Sequence, residues 1–88
     1  MWHVVIPHSV IKVLKKIPKR ELLLISECLY ELESWPDRSL LRDINKLTNV
    51  DDGYRIRVGV YRIIFIVEKK EIRITIIKVT HRKDAYKK

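Results

Sequence analysis

A single cysteine, three prolines and two glycines among 88 residues leave several protein classes without their raw material. One thiol forms no internal disulfide, and it builds no zinc site without help from distant histidines. No apolar run approaches the roughly 20 residues a membrane span requires, and the N-terminus lacks a signal-peptide pattern. Acids are scarce too, 11 against 19 Lys and Arg, which gives +8. A chain this short buries only about 60% of its unfolded surface, so it has room for one domain, residues 1–88, and a small core. Multidomain enzymes, secreted disulfide scaffolds and dinucleotide-binding folds are excluded. What is present is a globular composition, 47% hydrophobic and 34% charged. A small cytoplasmic protein with an anionic partner and no membrane association is the expectation.

The charge is unevenly placed. Residues 1–44 hold seven basic and six acidic residues, whereas residues 45–88 hold twelve and five. A solvated surface spreads its charge more evenly, so a localised basic face is expected in the second half.

Trp2 to Ile6 is short, rich in β-branched residues and closed by Pro7, which predicts a strand. Ser9 is the candidate N-cap of a first helix, with Val10, Val13, Leu14 and Ile17 on one face. Pro18 suits the first turn of a second helix, striped by Leu22, Ile25, Leu29 and Leu32, widened by Leu24, Cys28 and Trp35, and stopped before Pro36. With almost no loop between them, the two helices should form an antiparallel α-hairpin. Residues 36–53 form a long connection, pinned to the core by Leu40, Leu41, Ile44 and Leu47 through a short helical turn. Asp52-Gly53 signals a turn. From Tyr54 the period becomes two, with strands expected at Tyr54 to Val58, Tyr61 to Glu68 and Ile72 to Val79. The fold class is α+β: an N-terminal strand and an α-hairpin packed on an antiparallel β-meander.

Gly59-Val60 suits a two-residue type II′ turn, which fixes the pairing of the strands on either side. Arg57 then faces Arg62, and Arg55 faces Ile64. Tyr54, Ile56, Val58, Tyr61, Ile63 and Phe65 share the helix-packed face, and Arg55, Arg57 and Arg62 share the other. Facing arginines repel, and nothing nearby in the sequence supplies a carboxylate to relieve them. Such a conflict marks either a functional site or a solvated face. A phosphate held between the two guanidinium groups would turn the repulsion into charge-assisted hydrogen bonds. Carrying the register across Lys69-Lys70 adds Arg73, Thr75, Ile77, Val79 and His81 to the arginine face. Ile64, Ile66, Ile77 and Val79 would form an apolar patch beside it, suited to a protein partner.

At YRIRVGVYRIIF followed by VTHRKDAY, the chain resembles the RelE/ParE superfamily of toxin–antitoxin toxins. The likeness covers nearly the whole chain: the β-α-α-β-β-β order, Lys46-Leu47 before the meander, the alternating basic strand, GxYR and a terminal HR…Y. It implies a RelE-like toxin, a ribosome-dependent mRNA endonuclease neutralised by a cognate antitoxin that lays an acidic or amphipathic segment over the arginine face. Matched position by position, the resemblance assigns mRNA binding to Arg55 and Arg57 and, more weakly, to Lys46. It assigns catalysis to Arg62, Arg82 and the C-terminal Tyr86, with His81 a further candidate because other branches use tail histidines. Arg73, from the strand register, and Lys83, from the basic tail, complete the expected RNA-binding set. Thr48 departs from the family pattern, which has an RNA-contacting arginine there.

The implied reaction is attack of a ribose 2′-OH on the adjacent phosphate, leaving a 2′,3′-cyclic phosphate. It needs a base, cations for the developing charge and an acid for the leaving oxygen, but neither metal nor cofactor. A tyrosine at pKa ~10 is a poor base unless close guanidinium groups favour its phenolate. Histidine supplies an acid nearer neutrality. The bland readings are that Tyr86 packs the tail onto the sheet and that His81 is a solvated strand end. The cluster Lys12, Lys15, Lys16, Lys19 and Arg20 is either a solvated helix face or a contact to ribosomal RNA phosphates. Two further functions stay open: a gyrase inhibitor of the ParE type, and a non-catalytic basic RNA-binding module.

Overall fold

Strand formation in the second half follows from strict alternation. In the computed structural model, which describes residues 1–35 and 43–85 with side chains to residue 83, burial switches at every residue from Tyr61 to Glu68. The strands are β1 (His3–Val5), β2 (Asp43–Lys46), β3 (Gly53–Val58), β4 (Tyr61–Glu68) and β5 (Arg73–His81). They make one sheet in the order β1-β5-β4-β3-β2, with β1 parallel to β5 and every other pair antiparallel. The helices are α1 (His8–Leu14), α2 (Lys19–Glu31) and a final turn, α3 (Arg82–Ala85). This is the expected α+β class, two helices packed on a mostly antiparallel sheet.

The core lies between α1, α2 and one face of the sheet. Ile25, Cys28 and Leu29 of α2, with Leu32 in the 3-10 turn that follows it, supply a stripe against Ile56, Ile63, Phe65, Ile74 and Ile76. Trp35 meets Tyr54 and Phe65 edge-on at 4.8 and 5.4 Å, closing one end of this layer. Burying Phe65 alone contributes on the order of 1.5–3 kcal/mol.

Several expectations need correction. Ser9 lies inside α1, whose N-cap is Pro7. The Pro7 carbonyl accepts from the N–H groups of Val10 and Ile11, and no side chain caps this end. Pro18 is likewise the N-cap of α2 and not part of its first turn. Val13 and Leu24 fall at the edges of their stripes and are 40% and 45% exposed. The long connection supplies a strand, β2, where a helical turn was expected, with Ile44 paired to Ile56 and packed on the core. Leu40, Leu41 and the stop at Pro36 lie outside the described residues.

The β3–β4 pairing is the one the turn dictates: Val58 opposite Tyr61, Arg57 opposite Arg62 and Arg55 opposite Ile64. Gly59 takes φ +59° while Val60 stays out of the left-handed region, as a turn with glycine first requires. The β4–β5 pairing departs from expectation. Phe65 pairs with Ile76 but Ile64 with Lys78, leaving Ile77 as an extra residue. This bulge reverses the faces beyond it. Arg73 and Thr75 stay on the arginine face, but Val79 is buried in the core and His81 pairs with Tyr61 on the helix side. The expected apolar patch therefore loses Val79, keeping half-buried Ile64 and Ile66 and exposed Ile77.

Candidate active site

The tight β3–β4 turn brings the last arginine of one strand opposite the first arginine of the next. Beside it is a cleft of about 160 Å³ lined by Arg57, Gly59, Val60, Tyr61, Arg62 and Arg82. Arg82 arrives from the far end of the chain. Its backbone N–H donates to the Val60 carbonyl at 2.6 Å, which anchors the start of α3 to the turn. Three guanidinium-bearing residues thus converge on one opening, the arrangement a phosphate or a phosphorane-like transition state calls for.

The facing pair has a carboxylate neighbour that local sequence does not reveal. Asp43 of β2 lies directly across from Arg57, and its Oδ2 is 3.5 Å from Arg57 Nε. Both side chains are more than half exposed, so the pair contributes no more than about 1 kcal/mol to stability. Asp43 also accepts from the Asn45 side-chain amide at 3.3 Å. The expectation of arginines without a nearby acid is corrected for Arg57.

The remaining candidates divide. Arg55 shares the arginine face, two pairs further from the turn than Arg57, opposite Ile64. Lys46 pairs with Tyr54 and so belongs to the helix-packed side of the sheet, away from Arg55 and Arg57. Arg73 lies at the other end of β4, about 20 Å from Arg62 at roughly 3.3 Å per residue. It is engaged there by Glu68 in a two-pronged ion pair, Nη2–Oε2 2.6 Å and Nε–Oε1 3.1 Å. The Arg73 hydrogen bond, then that of Thr75, hold the Glu68 carboxyl down at about 2, and Glu68 in turn raises Arg73 above its ordinary value. Lys83 is exposed on α3. Tyr86 lies outside the described residues.

His81 is not among the residues lining the arginine cleft. It borders a second, larger groove of about 740 Å³ between α1 and β5, with Val13, Ile17, Ile77 and Val79. Its ring meets Tyr61 edge-on at 5.1 Å, and its Nδ1 accepts the Lys83 backbone N–H at 3.0 Å. Asp43 and the Val60 carbonyl are the contributors that sequence reasoning missed. The alternation of Asp43-Ile44-Asn45-Lys46 ahead of Asp52-Gly53 was the available signal for the first.

The model of the ParE toxin of type II toxin–antitoxin systems, the parDE type, matches residues 4–86. The chain belongs to the RelE/ParE toxin superfamily. Among relatives, a protein from Methanocaldococcus jannaschii named as toxin RelE1 is 33% identical over 86 residues, 98% of this chain and 96% of that one. The archaeal RelE–RelB complex from Pyrococcus horikoshii superposes with a TM-score of 0.80 at 34% identity, covering 92% of this chain and 94% of that one. The RelB–RelE antitoxin–toxin complex from Methanococcus jannaschii gives 0.78 at 30% identity, covering 93% and 94%. The two branch names, ParE from the family model and RelE from the relatives, attach to one fold. No helix among the described residues of this RelE/ParE toxin is long and apolar enough to cross a membrane.

Proposed function

We propose that this toxin is an endoribonuclease that cleaves mRNA on translating ribosomes, acting through the arginine cleft. The observation that carries the reading is the convergence of Arg57, Arg62 and Arg82 on one opening beside the β3–β4 turn. Arg55 and Arg57 bind the RNA backbone along the sheet. Arg62 and Arg82 stabilise the charge that develops when the ribose 2′-OH attacks the adjacent phosphate, and loss of one such donor typically costs roughly 10²–10³ in rate. Tyr86, assigned by family resemblance, takes the 2′-OH proton, with the guanidinium field favouring its phenolate. The exposed Lys12, Lys15, Lys16, Lys19 and Arg20 contact ribosomal RNA phosphates.

The partner that silences it is an antitoxin, as RelB accompanies RelE in the archaeal complexes. The groove between α1 and β5 combines apolar Val13, Ile17 and Val79 with exposed Lys16 and Lys78. That pattern suits an amphipathic segment with acidic flanks.

The ParE family match favours a second reading, inhibition of DNA gyrase. Purified toxin added to programmed ribosomes and, separately, to a gyrase supercoiling reaction separates the two. The nuclease reading expects 2′,3′-cyclic phosphate ends on the mRNA and unaltered supercoiling. Blocked supercoiling with intact mRNA overturns it.

A further inference from the structure

We propose that His81 is the positioning residue of the cleft: its Nδ1 caps the C-terminal turn and so holds Arg82 at the rim. The proposal deepens the nuclease reading and rests on it for the role of Arg82.

Any helical turn that starts directly after a strand must find acceptors for its first N–H groups. Here the Arg82 N–H goes to the Val60 carbonyl at 2.6 Å and the Lys83 N–H to His81 Nδ1 at 3.0 Å. One bond comes from the β3–β4 turn and the other from the last residue of β5, so the two together fix where Arg82 leaves the sheet. The imidazole is steadied in turn by Tyr61, a core residue only 8% exposed, whose ring meets it edge-on at 5.1 Å. As an acceptor, Nδ1 carries no proton, which places the hydrogen of the neutral ring on Nε2.

The bulge at Ile77 makes this possible. With an uninterrupted register His81 would stand on the arginine face. The extra residue turns it to the Tyr61 side, where it borders the α1–β5 groove and not the arginine cleft. A general acid must reach the leaving oxygen, whereas a cap needs only to reach its own chain two residues on. The geometry fits the second task.

Three substitutions separate the roles. His81→Asn places an amide oxygen where Nδ1 stands and is itself a favoured cap. His81→Gln carries its acceptor one bond further out, and His81→Phe keeps a ring against Tyr61 with no acceptor at all. Each is compared with wild type and Arg82→Ala by hydrogen exchange at the Lys83 amide, and by kcat and KM for mRNA cleavage on programmed ribosomes. Affinity for a 2′-deoxy-substituted, non-cleavable RNA oligonucleotide is the third measurement.

The expected result is that His81→Asn keeps Lys83 protection and kcat within about threefold. His81→Phe and His81→Gln should lose roughly fivefold in protection, about what a cap is worth. Their kcat should fall by no more than a similar factor, with little change in KM, and combining His81→Phe with Arg82→Ala should cost little more than Arg82→Ala alone. The proposal is overturned if His81→Asn keeps Lys83 protection but loses cleavage, because the ring then acts on the substrate. It is equally overturned if His81→Phe leaves protection and kcat at wild-type levels. If wild type itself cleaves nothing, the nuclease reading fails. Lys83 exchange and the oligonucleotide affinity of His81→Phe against Arg82→Ala then still decide whether His81 holds Arg82 in place.

Discussion

Arg57 and Arg62 stand directly opposite each other across the β3–β4 hairpin, one pair in from the turn. Like charges so placed destabilise a sheet by a few tenths to about 1 kcal/mol, and the core behind them tolerates it. Asp43 on β2 approaches Arg57 from the other side, and at 3.5 Å in an exposed position it acts as a weak counter-ion that a phosphate can displace.

Removing that counter-ion should improve binding. Asp43→Asn is expected to cost no more than about 1 kcal/mol in stability. It should tighten binding of a non-cleavable RNA oligonucleotide a few-fold and steepen its salt dependence, since Arg57 then answers to RNA alone. Fluorescence anisotropy across a salt series measures both. Unchanged or weaker binding would show that Asp43 orients Arg57 and does not compete for it.

Glu68 makes the low-pH behaviour readable. Its carboxyl is held at about 2 against an ordinary 4.5, chiefly by the hydrogen bond from Arg73 and then that from Thr75. A depressed carboxyl contributes stability above its unfolded value and loses it as pH falls through its folded value. The Glu68 contribution is therefore full above 4.5 and disappears on descending toward 2. In Glu68→Gln, the denaturant midpoint should fall below wild type at neutral pH, with the two converging across that window. A constant gap at every pH would assign the loss to packing.

The two glycines should fail differently. At Gly53 an added Cβ would sit 2.8 Å from Val50 Cγ1, so Gly53→Ala should cost about 1–3 kcal/mol by crowding. Gly59 has open space around it but φ +59°, so Gly59→Ala should cost about 1–2 kcal/mol through the backbone alone. Trimming Val50 to Ala removes the Cγ1 contact but leaves its Cβ at 3.0 Å, so it should rescue the first variant in part and leave the second unchanged, as read by urea unfolding.

How much of this was legible depends on what fixes each register. A two-residue turn with glycine first leaves one pairing, so the Arg57–Arg62 opposition followed from the sequence alone. No glycine fixes the link between β4 and β5, where Ile72 adopts φ +51°. Adjacent Ile76 and Ile77 are chemically alike, so nothing in their order says which is the bulge. That ambiguity misplaced Val79 and His81. The β2 strand escaped notice because only Ile44 of its four residues packs on the core, and Asp43 was therefore not seen as Arg57's neighbour. Among the site residues, Arg62 and Arg82 could be matched by family resemblance, whereas their convergence depends on a backbone hydrogen bond to Val60 that no side chain announces.

The central claim is that the arginine cleft cuts translated mRNA. It is tested most directly by mapping mRNA 5′ ends across the transcriptome after brief induction of wild type and of Arg62→Ala. New ends confined to translated frames, present with wild type and reduced by roughly 10²–10³ in rate with a folded Arg62→Ala, are the expected result. Growth arrest by wild type without new mRNA ends, or equal cleavage by both proteins, would contradict it.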